Sequence, residues 1–169
     1  MDFRKKNPTR KAIIIRSGPE SQRTYLEEKI LNQALELPDR FLVVKGQTEI
    51  KEHAFFSENI ELVSYLTSEE LNNAITESEI IISRSGYTTL MDLVFLNKKA
   101  ILIPTPGQTE QIYLAEHFNQ QQIFYSISQK DFNLKVALEE IENYTGFKEG
   151  VFQKNLFEKY VVQLLENNL

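Results

Sequence analysis

The chain has 169 residues, no cysteine and a formal net charge of −5. The length suits one domain and a sizeable core. The absent thiols exclude a disulfide framework, Cys-ligated zinc and a cysteine nucleophile. They fit a reducing, cytoplasmic compartment. The negative balance argues against general nucleic-acid binding, and no apolar run approaches the roughly 20 residues that span a bilayer.

Residues 1–11 read as a polar linker. The basic cluster of Arg4, Lys5, Lys6, Arg10 and Lys11 leaves an anionic-lipid or phosphate contact as the alternative. Residues 12–16 form an apolar, β-branched run expected to be a buried strand. Gly18-Pro19-Glu20 breaks it, with Pro19 and Glu20 suiting a helix start. The helix is expected to reach about Leu35, with Tyr25, Leu26, Ile30 and Ala34 on its buried side. Residues 41–44 and 60–63 read as the second and third strands, and Lys51-Glu52-His53 between them as a charged loop. Thr67-Ser68-Glu69-Glu70 has the form of a capping box opening a helix to about Thr76.

Residues 79–83 carry Ile80, Ile81 and Ile82 and make the fourth strand; a helix follows over 88–96. Residues 100–103 and 123–125 are the fifth and sixth strands, with a helix over 109–120 between them. Helices are also expected over 132–144 and 152–167. The last presents Phe152, Leu156, Phe157, Tyr160, Val161, Leu164 and Leu165 on a face that packs either on its own sheet or on a partner domain.

Apolar strands alternating with helices predict an α/β fold: a Rossmann-like, doubly wound parallel sheet of about six strands spanning residues 12–169. Ligands in such sheets bind beyond the carboxyl ends of the strands, where the strand order reverses. Three polar loops fall at that edge. Loop one, residues 16–23, contains Gly18 and leads from strand to helix, the geometry that presents free N–H groups to an anion; Arg23 is placed to reach a phosphate. Loop two, residues 83–89, contains Ser85, Gly86, Tyr87 and Thr88 at another helix start. Asp92 follows one turn on, placed to accept two hydroxyls of a ribose diol. Loop three, residues 104–111, projects Gln108, Glu110 and Gln111, whose amides and carboxylate can pair with sugar hydroxyls. None of the three is a G-x-G-x-x-G or Walker loop.

At these residues the sequence resembles the carboxyl-terminal domain of family 28 glycosyltransferases. The match is carried by Ile80-Ile81-Ile82-Ser83-Arg84-Ser85-Gly86, Thr88-Thr89-Leu90-Met91-Asp92-Leu93, Lys98 to Pro104 and Gly107-Gln108-Thr109-Glu110-Gln111. The resemblance implies one half of a GT-B enzyme, the half that holds a UDP-sugar, UDP-N-acetylglucosamine by analogy with the peptidoglycan lipid member. It implies metal-independent, inverting hexosyl transfer to a lipid or saccharide. The acceptor would sit on an N-terminal acceptor domain or a partner acceptor subunit, which would supply the catalytic base and an indirect association with the inner membrane face. On this resemblance Ser85, Gly86, Tyr87 and Thr88 hold the diphosphate, Arg23 lies near it, Asp92 takes the ribose diol, Gln111 reads the sugar and the backbone near Leu66 meets the uracil. Asp92 replaces the usual glutamate, Ile112 stands where a second glutamine is expected, and Tyr87 replaces a small residue.

No Asp-x-Asp occurs, so neither a metal nor another cofactor is expected. His117 reads as a packing or surface residue and His53 as solvated. The short chain is either a piece of a longer protein or a donor subunit that pairs in trans, and by itself is expected to be inactive. The rival readings are a nucleotide-sugar hydrolase and a non-catalytic nucleotide-binding module.

Overall fold

A computed structural model describes residues 8–49, 51–96, 98–147 and 154–168. The strands are β1 (Arg10–Ile15), β2 (Phe41–Val44), β3 (His53–Ser57), β4 (Ile60–Val63), β5 (Ser78–Ser83), β6 (Lys99–Leu102) and β7 (Tyr125–Ser126). The helices are α1 (Gln22–Ala34), α2 (Ser68–Thr76), α3 (Tyr87–Leu96), α4 (Thr109–Gln120), α5 (Leu134–Glu140) and α6 (Lys154–Asn168), with a 3₁₀ turn at Ile141–Asn143.

The strands lie in one sheet in the order β3-β4-β2-β1-β5-β6-β7. All neighbours are parallel except β3, which runs antiparallel to β4. The chain therefore leaves β1 in one direction through β2 and β4, and in the other through β5, β6 and β7. The order reverses between β1 and β5, where Ile13 pairs with Ile81 and Ile15 with Ser83. That reversal puts a crevice beyond the carboxyl ends of these two strands.

Side chains alternate across each strand, so the isoleucine runs feed two cores. Ala12, Ile14, Ile80, Ile82, Ile101 and Ile103 pack under Ile30, Ala34, Phe132 and Ala137, beneath α1 and α5. Ile13, Ile81, Ala100 and Leu102 pack under Leu90, Leu93, Leu114, Phe118 and Val161, beneath α3, α4 and α6. Burying one such isoleucine stabilises the fold by about 1.5–3 kcal/mol.

The structure alters several expectations. Among the described residues the sheet has seven strands against the expected six or so, because His53 opens edge strand β3 instead of lying in a charged loop. Its side chains are mostly exposed, and the pairing supplied by β4 forms the strand where the sequence shows no buried alternation. Exposed His53 is paired with Glu61 at 2.8 Å. Helix α1 begins at Gln22, so Pro19 and Glu20 precede it, and Tyr25 is 53% exposed rather than buried. The predicted helix over 132–144 is α5 followed by the 3₁₀ turn.

Arg10 and Lys11 belong to β1 rather than to a linker. Arg10 bridges Glu77 at 2.9 Å and Glu61 at 3.2 Å, and Lys11 pairs with Glu79. Arg4, Lys5 and Lys6 lie outside the described residues. The capping box forms as expected, Thr67 and Glu70 each bonding the other's backbone N–H. Helix α6 packs on its own domain: Val161 is fully buried, and the Tyr160 hydroxyl lies 2.8 Å from His117 Nε2 on α4. Phe152 lies outside the described residues, as do the side chains of Leu156 and Phe157.

Candidate functional site

The three loops singled out in the sequence meet at the reversal point, and Arg84 fastens them together. Its backbone belongs to loop two, directly after β5. Its Nη1 donates to the Ile103 carbonyl at 3.1 Å and the Pro104 carbonyl at 3.2 Å, tying down loop three. Its Nη2 donates to the Gln22 carbonyl at 3.2 Å, at the end of loop one, and to Gln129 Oε1 at 2.5 Å. Gln129 Nε2 returns to Gln22 Oε1 at 2.7 Å. Arg84 is 2% exposed, and its partners are carbonyl dipoles rather than carboxylates. Burial lowers its pKa to about 10, so it stays cationic at neutral pH. The result is a net positive charge beneath the crevice, held in place by neutral groups.

A second set of contacts links loops two and three. Ser85 Oγ donates to the Gln111 carbonyl at 2.7 Å. Gln111 Oε1 accepts the Thr105 N–H at 2.9 Å, and its Nε2 donates to Gln108 Oε1 at 2.5 Å. Gly86 lies immediately before α3, and a Cβ there would stand 4.0 Å from Gln111 Nε2. The first N–H groups of α3 lack intrahelical acceptors and carry the positive end of the helix dipole. They follow Arg84 by only three residues in the chain.

The remaining predicted residues divide clearly. Thr88 and Asp92, four residues apart on α3, are both exposed and share one face running up from loop two. Gln108 and Glu110 are exposed at the start of α4. Gly18 sits in loop one at φ +102°, and a Cβ there would come within 3.4 Å of Thr105 Oγ1 and 3.7 Å of Arg84 Nε. Leu66, half-buried after β4, packs against the core. Ser85 is fully buried with its hydroxyl committed to Gln111, leaving only its backbone to offer a ligand. The Tyr87 hydroxyl bonds Glu158 on α6; burial, then that carboxylate, raises its pKa above the ordinary value. Its ring therefore serves the α3–α6 contact. Arg23 pairs with Glu20 on loop one, and Arg16 pairs with Glu27 at 2.7 Å. Hydrogen bonds from Arg23 and then Thr24 hold the Glu20 carboxyl below its usual value. Among the described residues no three His, Asp or Glu side chains are grouped to hold a metal ion.

Sequence reasoning missed Arg84, Thr105 and Gln129 as site builders. The one available signal was a charged residue two positions after three consecutive isoleucines, just past the end of a strand that had to be buried.

Residues 21–156 match the profile of the glycosyltransferase family 28 C-terminal domain. The chain belongs to that family. A relative from a Sulfurihydrogenibium species, named UDP-N-acetylglucosamine–N-acetylmuramyl-(pentapeptide) pyrophosphoryl-undecaprenol N-acetylglucosamine transferase, is 26% identical over 145 residues. That alignment covers 82% of this chain and 40% of the relative. The Finegoldia magna enzyme of the same name is 29% identical over 122 residues, covering 68% and 31%. The chain thus spans less than half the length of these relatives. Among solved structures, the solution structure of ALG13 superposes with a TM-score of 0.62 at 12% identity, covering 93% of this chain and 96% of that one. MurG of Acinetobacter baumannii superposes with a TM-score of 0.59 at 16% identity, covering 95% of this chain and 46% of that one. At these identities the superpositions establish the fold, that of a GT-B glycosyltransferase domain.

Proposed function

We propose that this family 28 domain binds a UDP-sugar, UDP-N-acetylglucosamine first among candidates, across the β1–β5 crevice. The observation that carries the reading is the buried Arg84 cation, paired with no carboxylate, joining all three loops three residues before α3 begins. Preorganised donors and a fixed positive charge suit a diphosphate that gains negative charge as the glycosidic bond breaks. The Gly86–Thr88 backbone and Gly18 would face the diphosphate, with Arg23 beside it. Asp92 would accept the ribose hydroxyls. Gln108, Glu110 and Gln111 would meet the sugar, and the chain near Leu66 would meet the base. Gln111 is held by Thr105 and Gln108, so its contribution is a fixed amide rather than a searching one.

The reaction on this reading is metal-independent, inverting hexosyl transfer to a lipid or saccharide. An N-terminal acceptor domain or a separate acceptor subunit would hold the acceptor and supply the base, and the chain alone would transfer no sugar. The test is calorimetric titration with UDP, UDP-N-acetylglucosamine, dTDP and GDP in the presence of EDTA. Uridine nucleotides should bind under these conditions. Binding that requires a divalent ion would refute the metal-independent mechanism, and failure to bind any nucleotide would favour a non-catalytic module. Release of sugar from the donor without acceptor would point to a hydrolase.

A further inference from the structure

Loop one carries an anion of its own in the place a phosphate would seek. Glu20 precedes α1, and its Oε1 accepts from Arg23 Nε at 2.9 Å and also from Arg23 Nη2. Its Oε2 accepts from Thr24 Oγ1 at 2.9 Å, and Arg16 Nη2 stands 3.7 Å from Oε1. One carboxylate thus collects two guanidinium groups and a hydroxyl at the start of a 13-residue helix. Such groups are the usual partners of phosphate oxygens. The Glu20 side chain is 57% exposed against 24% for Arg23, so the carboxylate is the outer member and can leave without disturbing the core. The turn that places it passes through Ser21 at φ +34°, a left-handed conformation costly for a residue with a side chain.

A separate observation on the other side of the same turn points to a missing ligand. Arg84 Nε and Thr105 Oγ1 are buried without a hydrogen-bond partner among the described residues. Both face the space that Gly18 keeps open by lacking a Cβ. A buried N–H and hydroxyl left unpaired are unfavourable, a cost an incoming oxygen atom would relieve.

We propose that Glu20 is a displaceable internal anion: its carboxylate occupies the position of a ligand's distal phosphate and swings outward when a diphosphate enters. The proposal rests on the donor-binding reading above. Glu20 then discriminates between ligands. Only a ligand bringing enough negative charge to replace the carboxylate on Arg23, Thr24 and Arg16 gains these contacts, and an uncharged nucleoside does not.

The experiment uses the full chain and its Glu20→Gln variant, which preserves the size of the side chain and removes its charge. Calorimetric titrations with UDP, inorganic pyrophosphate and uridine are paired with the ¹⁵N resonance of Arg23 Nε. Glu20→Gln should bind UDP and pyrophosphate about two- to tenfold more tightly, the scale of a partly exposed charge interaction, and uridine no more tightly. In the unaltered chain the Arg23 Nε signal should move as UDP saturates. Unchanged or weaker pyrophosphate binding by the variant, equal tightening toward uridine, or a stationary Arg23 signal at UDP saturation would each overturn the proposal. Tighter pyrophosphate binding without any UDP binding would retain the displaceable anion and reject the donor reading.

Discussion

Replacing Arg84 by methionine removes the cation while keeping an unbranched side chain of comparable length. Four acceptors lose their donor: the carbonyls of Ile103, Pro104 and Gln22, and Gln129 Oε1. Water can reach Pro104 and Gln22 at the part-buried rim. The bonds to Ile103 and Gln129 are fully buried, and each acceptor left unpaired costs about 1–3 kcal/mol. Relief of the guanidinium's desolvation offsets some of this. The net loss is about 3 kcal/mol, which in a domain of this size lowers Tm by about 6–12 °C. Because loops one and three lose their common anchor, UDP affinity should also fall by more than about tenfold. Arg84→Lys, which retains a point charge but not the four-way fork, should lie between the two on both measures. Scanning calorimetry with and without UDP reads both quantities. If Arg84→Met melted within a degree of the unaltered protein and bound UDP equally well, the anchoring role assigned to this residue would be wrong.

Further outcomes follow from individual contacts. Asp92→Ala should weaken UDP by about 10- to 100-fold, the scale of hydrogen bonds to a charged acceptor, and leave Tm unchanged because Asp92 is exposed; equal affinity for 2′-deoxy-UDP and UDP in the unaltered protein would count against the diol assignment. Thr67→Ala should destabilise the domain by about 1 kcal/mol by removing the N-cap of α2, measured by urea unfolding. Burial holds the His117 imidazole below its ordinary value of 6.5, so the unfolded chain takes up the proton first. The resulting stabilisation is complete above about pH 6.5 and is lost as pH falls through the lower folded value. Unfolding free energy should therefore decline more between pH 7.5 and 5 in the unaltered protein than in His117→Gln, and parallel declines would contradict the assignment.

The isoleucine runs made the central sheet legible, since consecutive branched apolar residues can be accommodated only where both faces are covered. Thr67 and Glu70 fixed the α2 start through a local exchange of hydrogen bonds, which depends on sequence spacing alone. Strand β3 was not legible: its side chains are largely exposed, and its existence depends on a neighbour found only once β4 has joined β2. Tyr25 was misplaced because it lies off the i, i+4 stripe of Leu26, Ile30 and Ala34 that the sheet covers; Ile30 and Ala34 are buried as expected, whereas Tyr25 is 53% exposed. In the site, the glycine-bearing turns announced themselves, whereas Arg84 did not. Its partners are carbonyls at positions 22, 103 and 104 and a side chain at 129, brought together only by the reversal of strand order. Tyr87 was placed at the candidate site by its position at the start of α3; that its hydroxyl bonds Glu158 was not legible, because Glu158 comes from α6, about 70 residues later.

The most direct measurement is the structure of the protein with UDP bound. The diphosphate should lie over Gly18 and the N-terminus of α3, above Arg84, with the ribose against Asp92. Nucleotide found instead at the amino-terminal rim of the sheet, beside Arg10 and Glu61, would contradict the account.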